Sequence, residues 1–186
     1  MFKFRFVKET NMHLKTDRLD IRPFLPDDIE DTYEIYSNKD VCKYLLEDAW
    51  EYENKSEEFQ KKLNNNKLEE NSQLNLAVLL NGKVIGDISI WYIGMKQTVE
   101  IGFVFNLNFF GKGYAKEAVK EVVKELFEKY NVHRIQANLD ARNISSAKLC
   151  SNIGIRKEAH FIKDYWNKGE WTDSYVYGML ITDITN

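Results

Sequence analysis

The stretch QLNLAVLLNGKVIGDISIWY, residues 73–92, constrains the fold of this chain more than any other. Two apolar, β-favouring runs flank Asn81-Gly82. That pair is the strongest two-residue hairpin signal, because a type I′ turn needs positive φ at both central positions. A third run, TVEIGFVF (98–105), alternates as a strand does and follows after a short break. Three strands linked this closely form an antiparallel meander. A doubly wound sheet is therefore excluded, since there each parallel strand is followed by a crossover helix.

The remaining elements fit around this meander. LDIRPF (19–24) alternates and predicts a strand ending at Pro23. PDDIEDTYEIYSN (26–38) opens with proline and acids, as a helix N-terminus does. NKSEEFQKKLNNN (54–66) predicts a second, more polar helix, and NNNKLEENSQ (64–73) a loop. Downstream lie a helix over Tyr114 to Tyr130, a strand RIQANLD (134–140), and a short helix ISSAKLCSNIG stopped by Gly154. Two strands from Ile155 to Thr182 turn around NKGEW. The expected class is α/β (α+β), with a mixed, mostly antiparallel sheet of six to seven strands flanked by about four helices. One domain over 14–184 is expected. It follows a short extension, 1–13, whose Phe2, Phe4 and Phe6 alternate with Lys3 and Arg5 as a strand would. That strand would pair with the chain's own sheet or with a second subunit, which leaves a homodimer open.

Composition removes several functions. The net charge is −3, so the basic excess of a general nucleic-acid binder is missing. Cys42 and Cys150 lie far apart, and His13, His133 and His160 are scattered. No zinc-ligand spacing and no disulfide framework is present, so neither a metal nor an oxidising compartment is implied, and the cytoplasm is the expected address. No apolar run approaches the roughly 20 residues of a bilayer span, and charges interrupt the first residues where a secretory signal would be apolar.

The chemistry concentrates in NFFGKGYAKEAVKEVVKELF (108–127). A chain with only nine glycines places two of them, Gly111 and Gly113, just ahead of a regular amphipathic helix. Ala115, Ala118, Val119, Val122, Leu126 and Tyr130 share one face, while Lys116, Glu117, Lys120, Glu121, Lys124 and Glu125 lie opposite. A strand end followed by bare peptide groups and a helix N-terminus suits an anion, because free N–H groups and the helix dipole both favour it. A tight strand-to-helix turn without a ligand explains the glycines equally well. Two phosphate motifs fail. Lys112 is followed by Gly113 where a Walker loop has Ser or Thr, and Lys116 stands where a dinucleotide GxGxxG has glycine.

The loop resembles the acyl-CoA signature of the GNAT superfamily of N-acetyltransferases, [Arg/Gln]-x-x-Gly-x-[Gly/Ala]. Gly113 and Ala115 fill its last two places; Phe110 replaces the usual Arg or Gln, a mild departure where the phosphate contacts are backbone amides. The resemblance runs on through LKTDRLDIRPFLPDDIEDTYEIYSN, GKVIGDISI, VEIGFVF, HRIQANLDARNISSAKLCSNIGI and GEWTDSYVYGML. These follow the order of the Rim-type (RimJ/RimL-like) branch, which includes ribosomal-protein N-terminal acetyltransferases. It covers roughly Leu14 to Leu180.

The resemblance implies acetyl-CoA as cosubstrate and direct transfer to an amine, without an acyl-enzyme. The acceptor would be a protein N-terminal α-amine, a polyamine or another small amine. Such a transfer needs a base for the amine, a donor for the developing oxyanion and an acid for the leaving thiolate. Glu100 is the candidate base. It sits on the face of its strand shared with Gly102 and Val104, and a plain pairing with Lys or Arg is the alternative. Ser146 is the candidate acid, where many relatives carry a Tyr four places later; that place holds Cys150, which reads as a small core residue. Asn143 would bond the pantetheine arm, though as an Asn before a helix it is also an excellent N-cap. Phe103 and Phe105 would offer strand peptide groups to pantetheine, and Phe110, Gly111, Lys112, Gly113, Tyr114 and Ala115 would cradle the pyrophosphate. Around the acceptor, Tyr44, Trp50, Trp91, Tyr92, Tyr165, Trp166 and Trp171 would form an aromatic rim, with Glu47, Asp48, Glu51 and Glu53 making it acidic. A non-catalytic acyl-CoA-binding module on the same fold is the rival reading. It would keep the glycine loop and need no base.

Overall fold

The structure, a computed structural model, describes residues 12–184; the expected Phe2–Phe6 strand lies outside them. Strands β1 (Leu14–Lys15), β2 (Leu19–Pro23), β3 (Gln73–Leu80), β4 (Lys83–Tyr92), β5 (Thr98–Phe105), β6 (Arg134–Asp140), β7 (Arg156–Asn167) and β8 (Glu170–Leu180) form one sheet. Its order is β1-β2-β3-β4-β5-β6-β8-β7. Helices α1 (Ile29–Tyr36), α2 (Lys39–Cys42), α3 (Lys55–Asn64), α4 (Tyr114–Lys129) and α5 (Ile144–Asn152) pack on its two faces. The meander is as expected, and Asn81 and Gly82 both take positive φ. Two short elements add to the expected set. One is the two-residue β1, too brief to carry an alternation. The other is the single turn α2, held by the Asn38 side chain, which accepts from the N–H groups of Asp40 and Val41.

The sheet divides the core. On one face Leu76, Val78, Ile88, Ile90, Ile101 and Ile135 pack with Val119, Val122 and Leu126 of α4. The α4 stripe is the one its sequence spacing predicts, and Met12 and Leu14 join this cluster. On the other face Ala77, Leu79 and Val84 meet Phe24, Ile35, Tyr36, Trp50 and Phe59. Asp87 is buried beneath this second layer. Tyr36 donates to its Oδ2 at 2.7 Å, Lys62 pairs with it at 2.5 Å, and Asn75 donates to Oδ1 at 3.3 Å. A carboxylate in such a place needs these partners, because an unpaired buried charge is costly.

The register between β5 and β6 shapes everything that follows. All other neighbours in the sheet are antiparallel. β5 and β6 are parallel, and they pair only at Thr98–Arg134, Val99–Ile135 and Glu100–Gln136. Beyond that point β5 continues along β4 to Phe105, and β6 continues along β8 to Asp140. The sheet therefore parts between them after Glu100.

Candidate functional site

The glycine loop sits at the end of β5. Gly111 has φ 76° and Gly113 φ 83°, ψ 0°, a left-handed conformation costly for any residue with a Cβ. Gly113 is also the residue that precedes α4, and it supplies no side-chain cap. The first-turn N–H groups of α4 are thus left without that acceptor at the positive end of the helix dipole.

Arg18, from the turn before β2, fixes the loop from behind. Its Nη1 donates to the Lys112 carbonyl at 3.0 Å, its Nε donates to Glu117 Oε2 at 2.7 Å, and its guanidinium lies 4.4 Å above the Tyr114 ring. Thr16 donates to the other Glu117 oxygen at 2.5 Å. Burial raises the Glu117 carboxyl, but the hydrogen bonds from Thr16 and Arg18 outweigh it and hold the group below its usual range. In a trans peptide the C=O and the following N–H point opposite ways. With the Lys112 carbonyl turned to Arg18, the Gly113 N–H points to the other side of the loop.

A cavity of about 370 Å³ opens in front of the loop. Of the residues singled out in the sequence, Phe103, Phe105, Phe110, Gly111, Gly113, Tyr114, Ala115 and Ser146 line it. Lys112 and Asn143 do not. Lys112 turns its amine over the Phe109 ring, at 5.5 Å. Asn143 caps α5, its Oδ1 accepting from Ser146 N–H at 3.1 Å. Lys116 lines the cavity too, and five lining residues were not singled out: Phe109, and on α5 Ser145, Lys148, Leu149 and Asn152. The spacing of the last four along α5 repeats at helical intervals, which is the signal that marks them as one face. Phe105 reaches the wall because Gly86 lies opposite it: a Cβ at Gly86 would stand 2.4 Å from the Phe105 ring. The cavity joins apolar walls to Lys116 and Lys148, and among the described residues no acidic side chain lines it. A ligand with a negatively charged end and a slender uncharged arm fits this chemistry.

Glu100 faces the other side of the sheet. It lines a second cavity, of about 540 Å³, with Tyr44, Trp91, Asn138, Asp140, Asp164 and Tyr165 among its walls. Its Oε2 accepts from Gln136 Nε2 and from Asn138 Nδ2, each at 2.8 Å. Both donors belong to β6. The carboxylate is thus oriented by amides and not by the Lys or Arg that the plainer reading supposed. Of the aromatic rim, Tyr44, Trp91 and Tyr165 line this cavity. Trp50 does not: it is buried and stacks on Tyr36, with centroids 4.7 Å apart. Tyr92 lines a separate hollow at the β4–β5 turn. Cys150 is fully buried, and burial pushes its thiol up to about 12, so it is neither a thiolate nor accessible.

A sheet parted between two parallel strands, with a helix N-terminus on one side and a carboxylate on the other, agrees with the acyltransferase that the sequence resemblance implied. The family described as acetyltransferase (GNAT) domain matches residues 18–156, and the chain belongs to it. Over 171 residues it is 36% identical to the uncharacterized N-acetyltransferase YnaD of Bacillus subtilis, covering 91% of this chain and 97% of that protein. The crystal structure of a GNAT-family acetyltransferase from Bacillus anthracis superposes with a TM-score of 0.83 at 33% identity, over 92% of this chain and 99% of that one. The spermidine N-acetyltransferase of Vibrio cholerae, solved in complex with CoA and spermine, shares the fold. Its TM-score is 0.76 at 19% identity, over 92% and 100% of the two chains. The protein is an N-acetyltransferase, as the sequence resemblance implied.

Proposed function

We propose that the chain moves an acetyl group from acetyl-CoA to a primary amine by direct attack, with both held at once on opposite sides of the parted sheet. The observation that carries this is the β5–β6 register. It ends at Glu100 and leaves a gap between the cavity at the glycine loop and the cavity beneath Glu100. The peptide groups from Phe110 to Ala115 and the amines of Lys116 and Lys148 hold the diphosphate end. Phe103, Phe105 and Leu149 line the way for the pantetheine arm, and the Asn143 side chain fixes the start of α5 beside it. Glu100 takes the proton that the acceptor ammonium must lose, directly or through one water. As the new C–N bond forms and the C–S bond breaks, Ser146 supplies a proton or hydrogen bond to the departing sulfur. Its hydroxyl has no protein partner among the described residues, and the residue lines the cofactor cavity.

The test is thiol release from acetyl-CoA against a panel of small amines and N-terminal peptides. Glu100→Gln lowers kcat about 100-fold while calorimetry finds its affinity for CoA unchanged, because Glu100 lies outside the cofactor cavity. Wild-type turnover in Glu100→Gln, or no uptake of CoA by the folded wild type, removes the proposal.

A further inference from the structure

The acceptor cavity carries a feature that single-amine chemistry does not need. β7 and β8 pair regularly at Phe161–Ser174 and again at Tyr165–Thr172. Between these points β7 has three residues, 162–164, against the single Asp173 of β8. Lys163 takes φ 50° there. Asp173 fastens this bulge: it accepts the Lys163 N–H at 3.0 Å, while Lys163 Nζ reaches the Trp171 carbonyl at 3.1 Å. Bulges beside active sites re-aim side chains, and this one lies where Phe161, Asp164 and Tyr165 line the cavity that Glu100 also lines.

The charges of that cavity are unequal in their commitments. Asp140 is neutralised by Arg142, whose Nε and Nη2 donate to its two oxygens at 2.9 and 2.7 Å. Glu100 is held by two neutral amides. Asp164 is exposed; among the described residues it has no hydrogen bond or ion pair, and no Lys, Arg or His lines the cavity. The three carboxylates do not converge as a metal site does. They are spread along a trough walled by Tyr44, Trp91, Phe161 and Tyr165. Aromatic faces with separated carboxylates suit organic ammonium groups at two points.

We infer that the acceptor is a small aliphatic diamine or longer polyamine. Its reacting amine lies at Glu100, and a second ammonium lies against Asp164, which makes Asp164 a specificity-determining residue. This rests on the transferase reading above, in which Glu100 marks the reacting end. A neutral-sided peptide N-terminus offers one positive charge and leaves Asp164 unmatched.

The experiment compares 1,4-diaminobutane, spermidine, n-butylamine and the peptide Ala-Ala-Ala as acceptors with acetyl-CoA. The diamine exceeds butylamine in kcat/KM by about fivefold or more. Asp164→Asn lowers the diamine's kcat/KM about fivefold, through KM and not kcat, and narrows the preference over butylamine. Asp164→Glu restores most of it. Calorimetric titration of spermidine into the protein saturated with CoA weakens by the same factor in Asp164→Asn, with an unchanged melting temperature showing that the fold is intact. Equal use of butylamine and diamine, a faster reaction with the peptide, or an undiminished preference in Asp164→Asn overturns the inference and leaves the transferase reading standing. Absence of thiol release with every amine, CoA being bound, overturns both.

Discussion

The two cavities are built in opposite ways. The one at the glycine loop draws on two short stretches, Phe103 to Lys116 and Ser145 to Asn152, and joins the peptide groups of the loop to a few polar residues, Lys116, Ser146 and Lys148 among them. The one beneath Glu100 collects side chains from the segment after α2 and from β4, β5, β6, β7 and β8. Their charges differ too: among the described residues, lysines without acids line the first and acids without cations the second. A cosubstrate shared by a whole family can be met by peptide groups, which most substitutions leave in place. An acceptor that varies between relatives has to be met by side chains, which can change while the fold persists. The same asymmetry predicts which substitutions harm which ligand.

The largest effect falls on the backbone of the loop. Gly113→Val forces a β-branched residue into φ 83°, with its Cβ 3.5 Å from Arg18. The strain is about 2 kcal/mol, and the loop escapes it by turning its peptides out of place. CoA affinity measured by calorimetry falls about 30-fold. Spermidine binding to the apo protein changes little, because the acceptor trough shares no residue with the loop. A Gly113→Val protein that binds CoA normally erases the distinction between a backbone-made and a side-chain-made cavity.

A smaller loss comes from removing the support behind the loop. Arg18→Ala frees the Lys112 carbonyl and leaves Glu117 with only the Thr16 hydroxyl and the backbone N–H of residue 18. CoA affinity drops about tenfold, and the amine KM stays within about twofold of wild type. Arg18→Lys recovers only part of the loss, since a lysine keeps the charge but not the planar fork that reaches Lys112 and Glu117 together. Full recovery by lysine reduces Arg18 to a source of positive charge and not a holder of loop geometry.

This asymmetry also governed what the sequence could reveal. The Asn81-Gly82 hairpin, the alternation of β5 and the α4 stripe are local patterns, and each appears where its spacing says. The glycine loop is local as well, and the family resemblance carried by it and its neighbours named eight of the cavity's residues in advance. The acceptor side depends on pairings far apart in the chain. That Glu100 is oriented by Gln136 and Asn138 follows from a parallel register closed across α4, which no window of sequence contains. The bulge at 162–164 uses Lys163 at positive φ, with no glycine or asparagine to announce it. Trp50 and Trp91 look alike as aromatic residues, yet one is core and the other cavity wall, because a side chain's direction is set by the tertiary packing around it. Eight strands stand where six to seven were expected for a similar reason: β1 exists only through its pairing with β2.

The mildest prediction concerns acid, and it tests whether the loop's support is electrostatic. Glu117 has a folded-state pKa below its ordinary value: burial raises it, and the bonds from Thr16 and Arg18 more than reverse that. A carboxyl depressed in this way adds stability above its unfolded pKa, about 4.3, and loses it as pH falls through the lower folded value. Asp140, Glu34 and Glu158 are depressed too, so the whole protein weakens in acid, and only a difference between variants isolates Glu117. In urea unfolding, Glu117→Gln is less stable than wild type at pH 7. The gap is constant down to about pH 5, then shrinks as pH falls below the unfolded pKa, and is gone once pH lies below the depressed folded value. A gap that stays constant throughout that range means that Arg18 and Glu117 hold the loop by shape alone. The backbone-made cavity then owes nothing to the charge behind it.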